Sequence, residues 1–210
     1  MLEKISVRER RDLIIAWLAI SIAFTLIFIR PSGKVLPEVY LLFFGVSLVT
    51  VGIGFVLHEM AHKFTAMKYG FWAEFRRDNL MLVVAVALAA LVGVVFAAPG
   101  ATMIYGPAIT RQQNGRISAA GPITNLVLCI PFAILLFAGQ YIPLTVFSLN
   151  VISLIGLVGL QVNAMIAFFN MLPVSVLDGR KVLAWNKGVF AVLFVAALVL
   201  VFFSYYYIYL

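Results

Sequence analysis

The sequence predicts an all-α polytopic membrane protein, and three observations support this fold class. Of the 210 residues, 64% are hydrophobic and 11% are charged, whereas a soluble domain has about 45–50% apolar and about 25% charged residues. Several apolar runs approach the roughly 20 residues that a helix needs to cross a bilayer. Only short polar loops separate these runs. We therefore expect one membrane domain over residues 1–210, without a soluble accessory domain.

Six apolar segments follow one another along the chain, separated by loops rich in Pro, Gly and Asn. They cover residues 13–29, 39–57, 80–98, 117–138, 144–169 and 189–210. The first segment follows a short basic N-terminus that lacks a small-residue cleavage pattern. We therefore expect a retained first helix and not a cleaved signal peptide.

Segment 80–98 decides the topology of the chain in the membrane. If it crosses the bilayer, the cytoplasmic loops hold eight Lys and Arg residues and the outer loops hold seven. If it enters and returns on the same side, the counts become thirteen and two. The positive-inside rule favours the second arrangement. We therefore predict five full spans and one re-entrant or interfacial segment, with the N-terminus in the cytoplasm of a cell-membrane protein.

The net charge of +7 would suggest a nucleic-acid partner in a soluble protein. In a chain this hydrophobic, it reflects loops that face the anionic lipids of the bilayer. We therefore expect a lipid bilayer as the partner, and no nucleic acid. The single cysteine, Cys129, excludes an internal disulfide.

The two histidines of the chain lie together in His58-Glu59-Met60-Ala61-His62. On a helix, this spacing places both imidazoles on one face, where they can bind one zinc ion beside a glutamate base. Residues 41–57, which precede the motif, include no charged residue. Ionisable residues in a membrane-length apolar segment are costly and usually functional. The alternative, two helix-end histidines that reach the headgroup layer, explains this placement less well.

A catalytic zinc site requires three protein ligands and an open position. No third histidine exists, so the remaining ligand is a carboxylate or Cys129. Six acidic residues lie at the N-terminus, on the opposite side of the membrane, or in a charge cluster expected to be solvated: Glu3, Glu9, Asp12, Glu38, Glu74 and Asp78. Asp178, in Leu177-Asp178-Gly179, is the best third ligand by elimination. Its alternative role is that of a turn aspartate before glycine.

Three segments resemble signatures of the site-2 protease family of intramembrane zinc peptidases. Residues 58–70, HEMAHKFTAMKYG, resemble its H-E-x-x-H-x-x-x-A-x-x-x-G helix. Residues 170–179, NMLPVSVLDG, are similar to N-x-x-P-x-x-x-L-D-G, and residues 120–125, AGPITN, to the A-G-P-x-x-N start of the core helix between them. The motifs follow the family's order and cover roughly residues 41–185. Together they are far more specific than the pentapeptide.

The resemblance implies a function and a role for each motif residue. His58, His62 and Asp178 would be Zn²⁺ ligands, Glu59 the general base, and Asn170 a neighbour of the substrate backbone or the oxyanion. The implied activity is zinc-dependent endopeptidase cleavage of transmembrane segments in other membrane proteins, in an active site that opens to the cytoplasm. The substrate is therefore expected to be a transmembrane protein.

Two positions depart from the family pattern. Val176 stands where many members have a second proline, and Arg180 replaces a glycine often seen after D-G. Two other functions stay open: a membrane protein that handles or transports metal ions with the same ligands, and an inactive relative. Transporters generally have internal repeats and several charged residues along their pathway across the membrane. This chain has no internal repeat and no charged residue in the outer half of its predicted spans. The retained ligands and base argue against an inactive protein.

Two further expectations concern the substrate and the polar residues within apolar segments. A protease must hold the cleaved segment extended, and pairing with an exposed strand edge is one way to do so. Residues 101–109 and 115–118, on either side of Asn114-Gly115, are candidates for a β-hairpin offering that edge. For Asn150, Gln161 and Asn163 we expect interhelical hydrogen bonds. We set Asn125 apart because it belongs to the A-G-P-x-x-N segment.

Overall fold

The computed structural model describes residues 5–30, 36–94, 99–106 and 108–206 and is mostly helical. Within these residues, five helices are long and apolar enough to cross a membrane: Val7–Ile29, Pro37–Lys68, Arg111–Ala138, Val151–Asn170 and Lys187–Tyr206. The prediction of an all-α protein with five full spans is thereby confirmed. The predicted end of the last segment, residues 207–210, lies outside the described residues.

The elements follow in a simple order. The first span is α1 (Val7–Ile29). The second is one continuous helix made of α2 (Pro37–Ser47), a π-helical turn (Leu48–Gly52) and α3 (Ile53–Lys68). The remaining elements are β1 (Trp72–Arg77), α4 (Asn79–Leu91), β2 (Gly100–Tyr105), α5 (Arg111–Ala138), β3 (Thr145–Val146), β4 (Leu149–Asn150), α6 (Val151–Asn170), α7 (Asp178–Trp185) and α8 (Lys187–Tyr206).

The π-helical turn ahead of α3 is held by the first span. A π turn leaves backbone groups outside the usual helical ladder, and here the Leu48 carbonyl accepts a hydrogen bond of 3.0 Å from Trp17 Nε1. A Cβ atom on Gly52 would overlap the Trp17 indole. The glycine therefore lets α1 pack closely against the second span, one turn and a half before the histidine pair.

The two ends of segment 80–98 are held close together by a pair of antiparallel strands. β1 and β2 pair antiparallel from Trp72↔Tyr105 to Arg77↔Gly100, and the Asp78 amide donates to the Pro99 carbonyl at 3.0 Å. Between them, α4 has 13 residues, roughly 20 Å of helix, and is shorter than a membrane span. The two ends of the segment therefore lie next to each other, which agrees with a re-entrant or interfacial segment, and the side of the bilayer on which they lie stays a prediction. Residues 95–98 are outside the described part of the chain.

The predicted hairpin between residues 101–109 and 115–118 is wrong. β2 pairs with β1 instead, and residues 115–118 belong to α5. The reason is a capping box, in which the Gln113 amide donates to Thr110 Oγ1 and the Thr110 amide donates to Gln113 Oε1. These two bonds start α5 at Arg111, so Asn114-Gly115 becomes helical and forms no turn.

The segment predicted at 144–169 begins as a small hairpin and not as a helix. β3 and β4 pair through a tight turn in which Phe147 and Ser148 have φ of 50° and 63°. Asn150 then caps α6, because its Oδ1 accepts from the Ser153 amide at 3.0 Å. Asn150 Nδ2 also donates to the carbonyl of Gly139, the C-cap of α5, at 2.7 Å. Asn150 therefore both caps α6, which starts at Val151, and makes the expected hydrogen bond to a neighbouring helix.

Of the two acidic residues in the charge cluster near β1, Asp78 is exposed, as expected, whereas Glu74 is buried, contrary to the expectation that it is solvated. Asp12 on α1 lies 3.3 Å from Arg77 Nε, and Glu74, which is 8% exposed, contacts Arg76. Another ion pair, between Glu9 and Lys63, is completely buried. Glu9 Oε1 also accepts from the Phe75 amide at 2.9 Å. These contacts join β1 to α1 and α3.

Candidate metal centre

The histidine pair lies on one buried face of α3, as the motif spacing predicts. His58 and His62 are 3% and 8% exposed, and their Nε2 atoms are 3.0 Å apart. Two imidazole nitrogens this close, without a proton between them, repel each other unless a cation or a proton is shared. The pair is therefore suited to a positive ion at this point.

Asp178, at the start of α7, completes a compact triad. Its Oδ2 lies 3.5 Å from His58 Nε2 and 3.1 Å from His62 Nε2. Tetrahedral zinc, with bonds of about 2.0–2.1 Å, separates its ligand atoms by about 3.3 Å. The three ligand atoms can therefore surround one zinc ion without moving far. Among the described residues, these three side chains form a group able to hold a metal ion.

The loop before α7 brings Asp178 to the histidines. A Cβ atom on Gly179 would overlap the Met171 carbonyl, so the glycine lets the first turn of α7 approach the end of α6. Arg180 Nη1 donates to the Ser175 carbonyl at 3.3 Å, where Ser175 has a φ of 48°. The arginine that departs from the family pattern therefore stabilises this loop through a hydrogen bond, and Asp178 still lies beside both histidines.

The electrostatics of Asp178 favour a carboxylate. Burial raises the pKa of this carboxyl, but in the metal-free protein the charge of a protonated His62 and hydrogen bonds from the imidazoles outweigh burial and hold the pKa below its usual value. Lys181 Nζ lies 3.9 Å from the other oxygen, Oδ1. An ionised oxygen donor beside two nitrogens is a ligand set that zinc accepts.

Both imidazoles are oriented by acceptors behind them. His58 Nδ1 lies 2.6 Å from Asn125 Oδ1, and His62 Nδ1 lies 2.8 Å from the Ile117 carbonyl, both on α5. Because these partners can only accept, each Nδ1 carries a hydrogen, and each Nε2 offers its lone pair when the imidazole is neutral. This arrangement is typical of histidines that bind metals.

Gly121 keeps the space beside the two Nε2 atoms open. A Cβ atom on this glycine would lie 2.5 Å from His58 Nε2 and closer still to His62 Nε2. Glycine is therefore required at this position of the A-G-P-x-x-N segment, because any side chain would enter the space between the candidate ligand atoms. This observation agrees with a metal centre there.

Glu59 points toward β2. The side chain is 9% exposed, and Oε2 accepts a hydrogen bond of 2.8 Å from Thr102 Oγ1. The same hydroxyl lies 3.2 Å from the Glu59 carbonyl. β2 is therefore in direct contact with the proposed base. The sequence carries no signal for Thr102, because the contact joins residues 43 apart.

Asn170 lies at the end of α6, where its Nδ2 donates to the Ile166 carbonyl one turn earlier at 3.0 Å. Its role near an oxyanion stays a prediction.

Gln161 and Asn163 on α6 both make hydrogen bonds to other helices. Gln161 donates to the Ser204 carbonyl on α8. Asn163 accepts from Asn125 on α5, so the expectation of interhelical hydrogen bonds is confirmed for both residues.

The fold and the site define a multi-pass membrane protein with a buried centre of two histidines and one carboxylate. Residues 46–148 match the model of peptidase family M50. A protein of Methanocaldococcus jannaschii named "Putative zinc metalloprotease" is 38% identical over 189 residues, which are 90% of each chain. No solved structure gives a significant match. The chain belongs to peptidase family M50, the site-2 protease family, and is a metalloendopeptidase with zinc as its cofactor.

Proposed function

We propose that the protein is an intramembrane endopeptidase that cleaves transmembrane segments of other membrane proteins, with His58, His62 and Asp178 as the zinc ligands. The observation that carries this proposal is the position of the histidine pair and Glu59 on a membrane-spanning helix of 32 residues. The facing residues belong to α5, another span. Because the site is built between apolar helices, a substrate that is itself in the bilayer can approach it from the side.

The chain's own residues divide the chemistry among them. Zinc in such a site polarises the scissile carbonyl and lowers the pKa of a water molecule toward about 7. Glu59 accepts a proton from the attacking water at Oε1, and the hydroxyl adds to the carbonyl carbon. The same proton then passes to the amide nitrogen as the C–N bond breaks. Thr102 holds Oε2 throughout.

Asn170 is proposed as a donor to the developing oxyanion. In this role its Nδ2 would leave the Ile166 carbonyl and turn toward the substrate. A well-placed donor of this kind contributes about 2.7–4 kcal/mol to transition-state stabilisation. The assignment is supported by the position of Asn170 in the same family-like segment as Asp178.

β2 is proposed to hold the substrate in an extended form. β1 pairs with one edge of β2, and the described residues place no strand on the other edge. A cavity of about 260 Å³ adjoins this strand. It is lined by Phe71, Thr102, Met103, Ile104, Gly106, Ile109 and Asn114. Main-chain pairing along β2 would therefore bring the scissile bond beside the Thr102–Glu59 contact.

The site is proposed to open to the cytoplasm, with the N-terminus on the same side. The return of the chain between β1 and β2 agrees with the arrangement that has thirteen basic residues inside and two outside, which the positive-inside rule favours. Single cysteines at Asn79 and Gln113, in a Cys129→Ser background, should resist a membrane-impermeant thiol reagent in intact cells. Labelling at Gln113 from outside would contradict this orientation.

The function is tested by cleavage of a model single-span protein in detergent, with the products mapped by mass spectrometry. The wild type should hold about one zinc per chain and cut within the apolar segment of the substrate. Glu59→Gln should keep the zinc and lose cleavage, whereas Glu38→Gln, at the start of α2, should cleave normally. Cleavage by Glu59→Gln, or zinc flux in proteoliposomes without cleavage, would overturn the proposal.

A further inference from the structure

We propose that Asn163 is a positioning residue that fixes the tautomer of His58 through Asn125 and thereby sets the affinity of the metal centre. The inference rests on the proposed role of His58 as a zinc ligand. It assigns a task to α6, a helix that supplies none of the three ligands. Asn163 and Asn125 are both fully buried.

The hydrogen bonds form a chain across three helices. Asn163 Nδ2 donates to the Gly159 carbonyl at 2.9 Å, and Asn163 Oδ1 accepts from Asn125 Nδ2 at 2.8 Å. Asn125 Nδ2 also lies 3.2 Å from the Gly54 carbonyl. Asn125 Oδ1 then faces His58 Nδ1 at 2.6 Å. The chain therefore runs from α6 through α5 to α3.

Backbone carbonyls fix the direction of every bond in this chain, because a carbonyl can only accept. The Gly159 carbonyl requires the amide nitrogen of Asn163, which leaves its oxygen for Asn125. The Gly54 carbonyl and this oxygen together require the amide nitrogen of Asn125. Its oxygen must then meet His58, so Nδ1 of His58 must carry the hydrogen. Nε2 is left with the lone pair that a metal ion needs.

The close packing of the helices also leaves room for this chain of hydrogen bonds. A Cβ atom on Gly54 would lie 2.5 Å from Asn163 Oδ1, so only glycine admits the Asn163 amide at this point of α3. Without Asn163, the Asn125 amide would keep one of its two acceptors and could turn over. In the turned state its nitrogen would face His58, which would favour the tautomer with the hydrogen on Nε2.

Asn163→Leu and Asn163→Ala test the inference, with Gln161→Leu and Gln161→Ala as matched controls on the same helix. Gln161 donates to Ser204 on α8 and does not contact the triad. Two quantities are measured in detergent: the zinc dissociation constant by chelator competition, and the thermal midpoint of the metal-free protein. Loss of a partner behind a metal-binding histidine typically weakens metal affinity by 10–100-fold.

We expect the Asn163 variants to bind zinc about tenfold more weakly, and the Gln161 variants to bind it like the wild type. In an Asn125→Ala background, Asn163→Ala should cause no further loss, because both residues act on His58 in series. Wild-type affinity in the Asn163 variants, or an equal loss in the controls, would overturn the inference. Absence of zinc from the wild type would instead overturn the proposed function. Because alanine is smaller than asparagine, it fits the buried position, and Asn163→Ala provides the test even where leucine does not fit.

Discussion

Gly121→Ala should empty the metal centre while leaving the fold intact. The new Cβ atom would lie 2.5 Å from His58 Nε2, whereas ordinary contact begins at 3.4 Å. The imidazole must therefore retreat by about 0.9 Å, well beyond the roughly 0.2 Å that zinc ligand distances tolerate. We expect zinc affinity to fall at least about 100-fold, which is the upper end of the loss caused by removing an outer hydrogen bond.

In the metal-free protein, Gly121→Ala should leave the free energy of unfolding nearly unchanged or raise it slightly. Alanine is favoured over glycine in a helix by about 1 kcal/mol, and the clash falls on side chains at the site. Gly45→Ala is the matched control, since it adds the same methyl to a helix where nothing lies within 4 Å.

Thermal unfolding with and without zinc is the assay. At a zinc concentration 100 times the wild-type dissociation constant, the wild type gains about 2.7 kcal/mol of stability, and a variant with 100-fold weaker binding gains about 0.4 kcal/mol. Gly45→Ala should gain as much as the wild type. If Gly121→Ala gains the full amount from zinc, the ligand atoms do not surround the ion in the way described here.

Two further predictions concern the contacts around α3. Lys63→Met should destabilise the protein by about 3–5 kcal/mol, since it leaves Glu9 buried and unpaired. Adding Glu9→Gln, which keeps an acceptor for the Phe75 amide, should restore most of that free energy of unfolding, measured by denaturant titration in detergent. Thr102→Val should lower kcat about tenfold or more with zinc retained, because a hydrogen bond to a charged group contributes about 1.5–3 kcal/mol. Thr102→Ser should cleave normally, and equal activity of both variants would contradict a role for this hydroxyl.

Composition and short spacings predict most of the fold and the proposed ligand set. The five spans follow from apolar length, and the His58–His62 face follows from a separation of four residues on a helix. Asp178 was reached by elimination and by resemblance, and the structure places its carboxylate beside both imidazoles. The return of segment 80–98 followed from the distribution of Lys and Arg.

The remaining features depend on contacts between residues far apart in the sequence. Asn114-Gly115 is a strong local turn signal, but the Thr110–Gln113 capping box makes it helical. The pairing of β1 with β2 spans the whole of α4, and no local pattern encodes it. Lys63 follows the motif directly, yet its partner Glu9 lies 54 residues away in the sequence. Sequence spacing therefore located the proposed ligands but not the groups that orient them.

The most direct test of the metal centre is X-ray absorption at the zinc edge of the purified protein. We predict two imidazole nitrogens and oxygen donors at about 2.0–2.2 Å, with no sulfur in the coordination sphere. Asp178→Asn should weaken or alter the oxygen contribution and leave both imidazoles in place. A sulfur donor at about 2.3 Å would assign the third position to Cys129, whose thiol contacts the Leu160 carbonyl at 3.8 Å, and would contradict the His58–His62–Asp178 centre.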